Sequence, residues 1–159
     1  MSRLRIEKVD GGDATVHDWQ YVHNLVIPTH HRSLDEVRER SRHNVLEVAY
    51  LDGTVIGCTT VRPPTSGTPT SEAPVAATVI ARVLPDHRGQ GFGGELYERG
   101  LAQARELGAE VIETVVLASN TDGLRFARQR GFVEIDEYLL PGETIPWFDL
   151  RLQPDETTR

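Results

Sequence analysis

The sequence predicts an α/β fold: one mixed, mostly antiparallel sheet of about seven strands with helices on both faces, in the order β-α-α-β-β-β-α-β-α-β-β. Three observations carry this. Short alternating or β-branched apolar runs recur along the chain, interleaved with segments whose apolar residues return at helical spacing. Asp52-Gly53 separates two of those runs by the two residues a tight hairpin needs, which makes them antiparallel neighbours. A glycine-rich stretch, Val83 to Gly94, joins a β-branched run to a helical one, and a continuously apolar strand follows; that is a β-α-β crossover and asks for a parallel pair.

Taken in order, Arg3 to Val9 alternates with Leu4 and Ile6 on one face and is closed by Asp10-Gly11-Gly12. Thr15 and Asp18 make a capping-box pattern at the head of a helix in which Val16, Trp19, Val22 and Val26 recur until Pro28 stops it. Ser33 and Glu36 cap a second helix, Leu34 to Arg42, whose charges mark a solvated face. Val45 to Leu51 and Thr54 to Val61 are the hairpin strands, and Pro63 to Pro74, rich in turn formers and without an apolar anchor, is expected to be a loop. Val75 to Val83 is the central strand, and Glu95 to Leu107 is the helix after the glycines, with Gly108 placed to end it. Val111 to Leu117 reads as a buried strand, and Asn120 opens a helix, Thr121 to Arg130, that Gly131 ends. Phe132 to Leu139 and Trp147 to Leu152 alternate as the last two strands around Pro141-Gly142. Residues 1–152 are expected to form one domain and 153–159 a polar tail.

A chain of 159 residues can bury a core without metal or disulfide staples, and the lone Cys58 has no partner for an internal disulfide. No apolar run approaches spanning length and Met1 to Arg5 does not read as a leader, so a cytoplasmic protein with no membrane partner is expected. The formal net charge of −7 argues against nucleic acid, although Arg82, His87 and Arg88 would suit a small polyanion locally. Histidines 17, 23, 30, 31, 43 and 87 show no ligand spacing, so no metal is expected. The oligomeric state is open, a homodimer included.

The glycines fall where a strand meets a helix, and there the first helical N–H groups lack intrahelical partners and carry the positive end of the macrodipole. Such a junction suits phosphate. Two patterns fit it. Gly89-Gln90-Gly91-Phe92-Gly93-Gly94 satisfies the dinucleotide pattern G-x-G-x-x-G, with Glu113 about 20 residues on as its acidic partner. Alternatively, Val83-x-Pro85 followed by Arg88-x-x-Gly91-x-Gly93 resembles the acyl-CoA signature of the GNAT N-acetyltransferase superfamily. The element order from Leu4 to Leu152 is similar to that superfamily's, whereas a dinucleotide domain would repeat βαβ from its loop.

The resemblance implies an acetyltransferase that uses acetyl-CoA as cosubstrate, needs no metal, and acylates the amine of a small molecule by direct transfer in a ternary complex. It also implies that strands Val75 to Leu84 and Val111 to Ala118 splay to admit acyl-CoA. Backbone at Val83 and Leu84 would hold the pantetheine and acyl group, and the amides of Arg88, Gly89, Gln90, Gly91, Phe92, Gly93 and Gly94 would wrap the pyrophosphate. Asn120 would be a further contact, although asparagine is also an ordinary N-cap. Two positions depart from the family. Ala127 stands where a tyrosine often protonates the departing thiolate, and Val75-Ala76-Ala77-Thr78 offers no carboxylate base, the nearest being Glu72 in the loop. The remaining proton-transfer candidates are His30 and His31, in the loop that in the family walls the acceptor pocket, and Tyr138. Their plain alternatives are exposed loop histidines and a packing tyrosine, and Cys58 reads as a small buried apolar residue. Two rivals stand beside the enzyme: a non-enzymatic acyl-CoA-binding module of the same fold, and a nucleotide-dependent oxidoreductase.

Overall fold

The computed structural model describes residues 3–10, 12–64 and 75–153. Gly11, most of the Pro63 to Pro74 loop (Glu72 included) and the tail beyond Gln153 lie outside the described residues. The elements are β1 Leu4–Lys8, α1 Asp13–Val26, α2 Leu34–His43, β2 Val45–Leu51, β3 Thr54–Arg62, β4 Ala76–Val83, α3 Phe92–Glu106, β5 Val111–Leu117, α4 Thr121–Gln129, β6 Phe132–Tyr138 and β7 Trp147–Leu152, in the order expected. They build a seven-stranded sheet, β1-β2-β3-β4-β5-β7-β6. Only the β4–β5 pair, joined through α3, is parallel; the other pairs are antiparallel.

Strand β7 lies between β5 and β6 because of what each can bury. Leu150 of β7 is fully buried, whereas β6 carries Glu134, Asp136 and Glu137, and its charge and bulge suit an unpaired edge. At the hairpin, Asp52 (φ 51°) and Gly53 (φ 82°) supply the left-handed pair that joins β2 to β3.

Two helix starts differ from the sequence pattern. Helix α1 begins at Asp13 with Gly12 as N-cap, so Thr15 is already inside it, and its hydroxyl donates to the Gly12 carbonyl (3.1 Å). The Asp18 carboxylate instead accepts from the Tyr50 hydroxyl at 2.6 Å, so Thr15 and Asp18 form no capping box. Helix α3 begins at Phe92, three residues before Glu95, because Gly91 holds φ 87° as its N-cap, a conformation cheap only without a Cβ. The Ser33–Glu36 box of α2 is present in both directions, at 3.1 and 3.2 Å.

Side-chain alternation divides the core. On one face Val48 and Cys58 pack under α1 and α2 with Val16, Trp19, Val22 and Val37. On the other, Val61, Val79, Ile112 and Leu150 pack under α3 and α4 with Tyr97, Leu101, Ala104, Leu124 and Ala127. Glu47, buried on the α3 face, is neutralised by Arg99 through two bonds of 2.8 and 3.1 Å and by Gln103 at 3.2 Å. Helix α3 lies close against the sheet at Gly100, where a Cβ would stand 2.6 Å from Val79 Cγ1.

That contact gives a stability prediction. Gly100→Ala improves helix propensity, but the stiff Val79 cannot yield cheaply, so overpacking should dominate with a net loss of about 1–3 kcal/mol. Thermal denaturation should show a melting temperature lower by roughly 2–10 °C; an unchanged or raised value would mean that the helix can shift.

Candidate active site

The site is made where β4 and β5 stop pairing. Their register runs only from Ala76 opposite Val111 to Thr78 opposite Glu113, yet β4 continues to Val83 and β5 to Leu117. The remaining five residues of β4 stay bound to β3 on the other side, and β5 stays bound to β7, so a gap opens within the sheet. The Leu84 N–H donates to the Ile56 carbonyl at 2.7 Å. Alternation along the strand therefore turns the backbone of Val83, Ala81 and Val79 away from β3 and into the gap. A cavity of about 640 Å³ occupies it, lined along β4 by Val79 to Val83, along β5 by Thr114 to Leu117, and at one end by Arg88, Gly89, Gly91, Gly93 and Gly94.

At that end the chain makes a single 3-10 turn, Pro85–His87, and then enters α3 through the glycines. Gly89 and Gly91 have positive φ and open space where a side chain would be, so backbone is what faces the cleft. Phe92 is buried and anchors the first helical turn, in which the N–H groups have no helical acceptor. Arg125 and Arg130 join Arg88 around this end. Open glycine backbone, a helix N-terminus and three guanidiniums fit a diphosphate in an otherwise acidic protein.

Arg88 also has a structural task. Its Nε donates to the Val83 carbonyl and its Nη1 to Asp122 Oδ2, both at 2.9 Å, which ties the end of β4 to the first turn of α4. Leu84 is turned away from the gap: besides its bond to Ile56, its carbonyl accepts from the His87 N–H at 3.0 Å and its side chain is buried under α1. Asn120 caps α4 by accepting from the Gly123 N–H at 3.1 Å, and it lines the cleft as well. Ala127 stands in the cleft wall. The Tyr97 hydroxyl beside it is buried without a hydrogen-bond partner among the described residues, and burial raises its pKa.

The histidines separate. His30 Nδ1 donates to Glu143 Oε2 at 2.9 Å, and its ring meets Trp147 edge-on at 5.3 Å. The Trp147 indole donates to the other Glu143 oxygen at 3.0 Å, and these two donors hold the Glu143 carboxyl below its usual pKa, the indole bond first. His31 is exposed, bonded to Asn24 at 3.0 Å. Tyr138 donates to Asp149 at 3.0 Å; burial, then that bond, pushes its phenol up to about 12, and burial raises the Asp149 carboxyl. Asp149 lies opposite Val115 of the gap. Alternation along Trp147, Asp149 and Arg151 places them on one face and is visible in the sequence; nothing there points to Glu143 or Asp122, which arrive from distant turns. Among the described residues no cluster could hold a metal ion.

A sheet split at its parallel pair, with a glycine loop and helix N-terminus at one end of the split, makes a cleft suited to an extended ligand that ends in phosphate. The model of the acetyltransferase (GNAT) family matches residues 14–132, and the chain belongs to that family. Similar solved structures include Ard1 from Thermoplasma volcanium (TM-score 0.74, 16% identity, 94% of this chain and 97% of that one). Another is a GNAT family acetyltransferase from Elizabethkingia anophelis with acetyl-CoA bound (0.69, 17%, 97% and 100%). A third is the ribosomal-protein-alanine N-acetyltransferase from Brucella melitensis (0.67, 18%, 92% and 98%). A search of curated proteins finds no match. Family membership displaces the dinucleotide reading, and Glu113, its acidic partner, is held instead by Arg151 at 2.7 and 3.0 Å.

Gly91→Val forces a β-branched residue to φ 87° and should weaken CoA binding at least roughly 100-fold, the cost of an αL residue and a displaced helix start together. Arg88→Ala should weaken it less, because the loop amides remain, while lowering the melting temperature through the lost Val83–Asp122 tie. Calorimetry with CoA and a thermal melt of each variant check both; a folded Gly91→Val protein of unchanged affinity would contradict the loop's assignment.

Proposed function

We propose that this chain transfers the acetyl group of acetyl-CoA to a primary amine of a small molecule, directly and within a ternary complex, residues 1–152 forming the working domain. The parting of β4 from β5 carries this reading. Val79, Ala81, Val83, Thr114 and Val116 face α3 and α4, while Ile80, Arg82, Val115 and Leu117 face α1, so the gap opens to both sides of the sheet. The phosphate-binding loop serves one side, which leaves the other for the acceptor. An enzyme-bound acyl group is not needed between them, and Cys58 does not offer one: it is fully buried, and burial pushes its thiol up to about 12.

Acetyl-CoA supplies the activated acyl thioester. The chain's own part is to place and polarise it: the N–H groups of Ala81 and Val83, turned into the gap, would donate to the acyl oxygen in a slot poor in water. The new N–C bond forms as C–S breaks, the amine gives up a proton and the thiolate takes one. None of the side chains that the sequence offered is dedicated to either transfer. Ala127 leaves the usual donor position empty of acid, His30 is held by Glu143, and Tyr138 spends its proton on Asp149. Positioning of an amine that is neutral, or deprotonated through water, accounts for the rate.

The clamp between His30 and Glu143 supports a small acceptor. It joins the α1–α2 connection to the β6–β7 connection over an apolar floor of Ile27, Leu117 and Trp147, closing one end of the acceptor face. That closure supports a small molecule over a polypeptide, although the Brucella melitensis relative is named for a protein substrate.

Calorimetry should show binding of CoA and acetyl-CoA and none of NAD(H). Thiol release with a panel of small primary amines should show turnover that rises with pH through each amine's own titration, with short peptides inactive. His30→Gln, His31→Gln, Tyr138→Phe and Asp149→Asn should each cost less than the roughly 100-fold typical of removing a dedicated acid or base. A larger loss in one folded variant with intact acetyl-CoA affinity would make that residue the proton carrier. Binding without turnover across the panel would favour the non-enzymatic acyl-CoA-binding module.

A further inference from the structure

The α1 face of the gap carries guanidiniums that no ion pair among the described residues engages. Arg82 stands opposite Cys58 and Arg62 opposite Thr78 in the β3–β4 register, and alternation puts both guanidinium stems on the face that Cys58 shares with α1. Arg82 is only 9% exposed and lines the gap. Arg62 is half-buried, and its Nε is buried without a hydrogen-bond partner among the described residues. None of the ion pairs among the described residues involves Arg82, Arg62 or the neighbouring Arg40 of α2.

Among the described residues, the acids of this face form their bonds elsewhere. Glu113 is taken by Arg151 and Glu36 by Arg32 and its own capping box, Glu143 accepts from His30 and Trp147, and Asp149, which accepts from Tyr138, offsets Arg62 only from beyond ion-pair distance. His23 gives no relief either. A carbonyl only accepts, so His23 Nε2 donates to the His30 carbonyl at 2.9 Å, and Nδ1 is left as a buried lone pair without a partner among the described residues. Burial, with Arg82 adding to it, pushes this imidazole down to about 3, so it stays neutral. A buried guanidinium without a counter-charge is costly, and a bound anion is the economical remedy. The phosphates of acetyl-CoA are not that anion: their site is at the head of α3, among Arg88, Arg125 and Arg130, at the loop end of the gap.

We infer that the acceptor is an amine that also carries an oxyanion, a carboxylate or phosphonate, which Arg82 and Arg62 grip on the α1 face of the gap while the amine reaches toward Val83. Arg's planar fork suits both oxyanions, and the grip would aim the amine at the thioester. The inference rests on the acyltransferase reading and adds the chemical class of the acceptor.

Matched pairs of acceptors test it: α-amino acids against their carboxamides, and an aminoalkylphosphonate against its diethyl ester, followed by thiol release. The amides hold the more readily neutral amine, so a preference for the acids runs against intrinsic reactivity. The expected kcat/KM ratio of acid to amide is at least about tenfold, and Arg62→Gln and Arg82→Gln should each collapse it roughly 10- to 100-fold, chiefly through KM, with acetyl-CoA affinity retained. If Arg82→Gln fails to fold, Arg62→Gln, which stands opposite Thr78 where the β4–β5 pairing ends, decides. Equal rates for acids and amides, or variants that slow both alike, would overturn the inference. If acetyl-CoA binds but no amine turns over, the acyltransferase reading fails instead, and the anion site is read by calorimetry with an N-acetyl amino acid and its amide: selective binding of the acid, lost in Arg62→Gln, upholds it, and indifference overturns it.

Discussion

Everything at the site depends on β4 and β5 ceasing to pair after Thr78 and Glu113. A central parallel pair in a sheet covered on both faces would ordinarily continue, since an unpaired backbone N–H or C=O away from water is costly. Here each strand keeps its outer neighbour, β3 or β7, and gives up its inner one, which leaves a row of backbone groups facing a cleft. The protein thus holds open a slot shaped for an extended ligand that can supply the missing hydrogen bonds. The sheet's edges are far from this slot, so the open backbone is set inside the molecule where another chain cannot pair with it.

What keeps the slot open is local and polar. Arg88 bridges the last carbonyl of β4 to Asp122 at the start of α4, so both lips of the cleft are held by one guanidinium. On the far end, His30, Glu143 and Trp147 link two connections that are more than a hundred residues apart in the chain. The helices contribute by burial: α3 sits close enough at Gly100 to fix Val79, and α1 brings Trp19 down to the Thr59 carbonyl at 3.1 Å. Loop ends are therefore pinned by charge-assisted bonds, and strand positions by packing.

Charge is divided in the same way. A chain of net charge −7 keeps guanidiniums around both parts of the cleft, three at the glycine loop and a second group on the α1 face. The acidic surplus is spread over helix surfaces and strand β6, where water screens it. Local field at each part of the cleft is therefore positive, whatever the sign of the whole.

The sequence by itself determined the elements and the loop. Periods of two and of 3.6, the Asp52-Gly53 turn and the glycines between Val83 and Gly94 are local rules, and they located every strand and helix to within a few residues. The start of α3 was misplaced because Phe92 to Gly94 look like loop until Gly91 is seen to take its left-handed turn. The length of the β4–β5 pairing, the place of β7 between β5 and β6, and the partners of His30, Tyr138, Arg82 and Arg88 were decided only by the tertiary structure. Those features depend on which distant segments arrive at the same point, and on what is left unpaired when they do; single-residue preferences carry no record of either. Arg82 shows the difference most clearly. In the sequence it is one cation in a β-branched run, and only the folded sheet buries it on the α1 face of the gap without an ion-pair partner among the described residues.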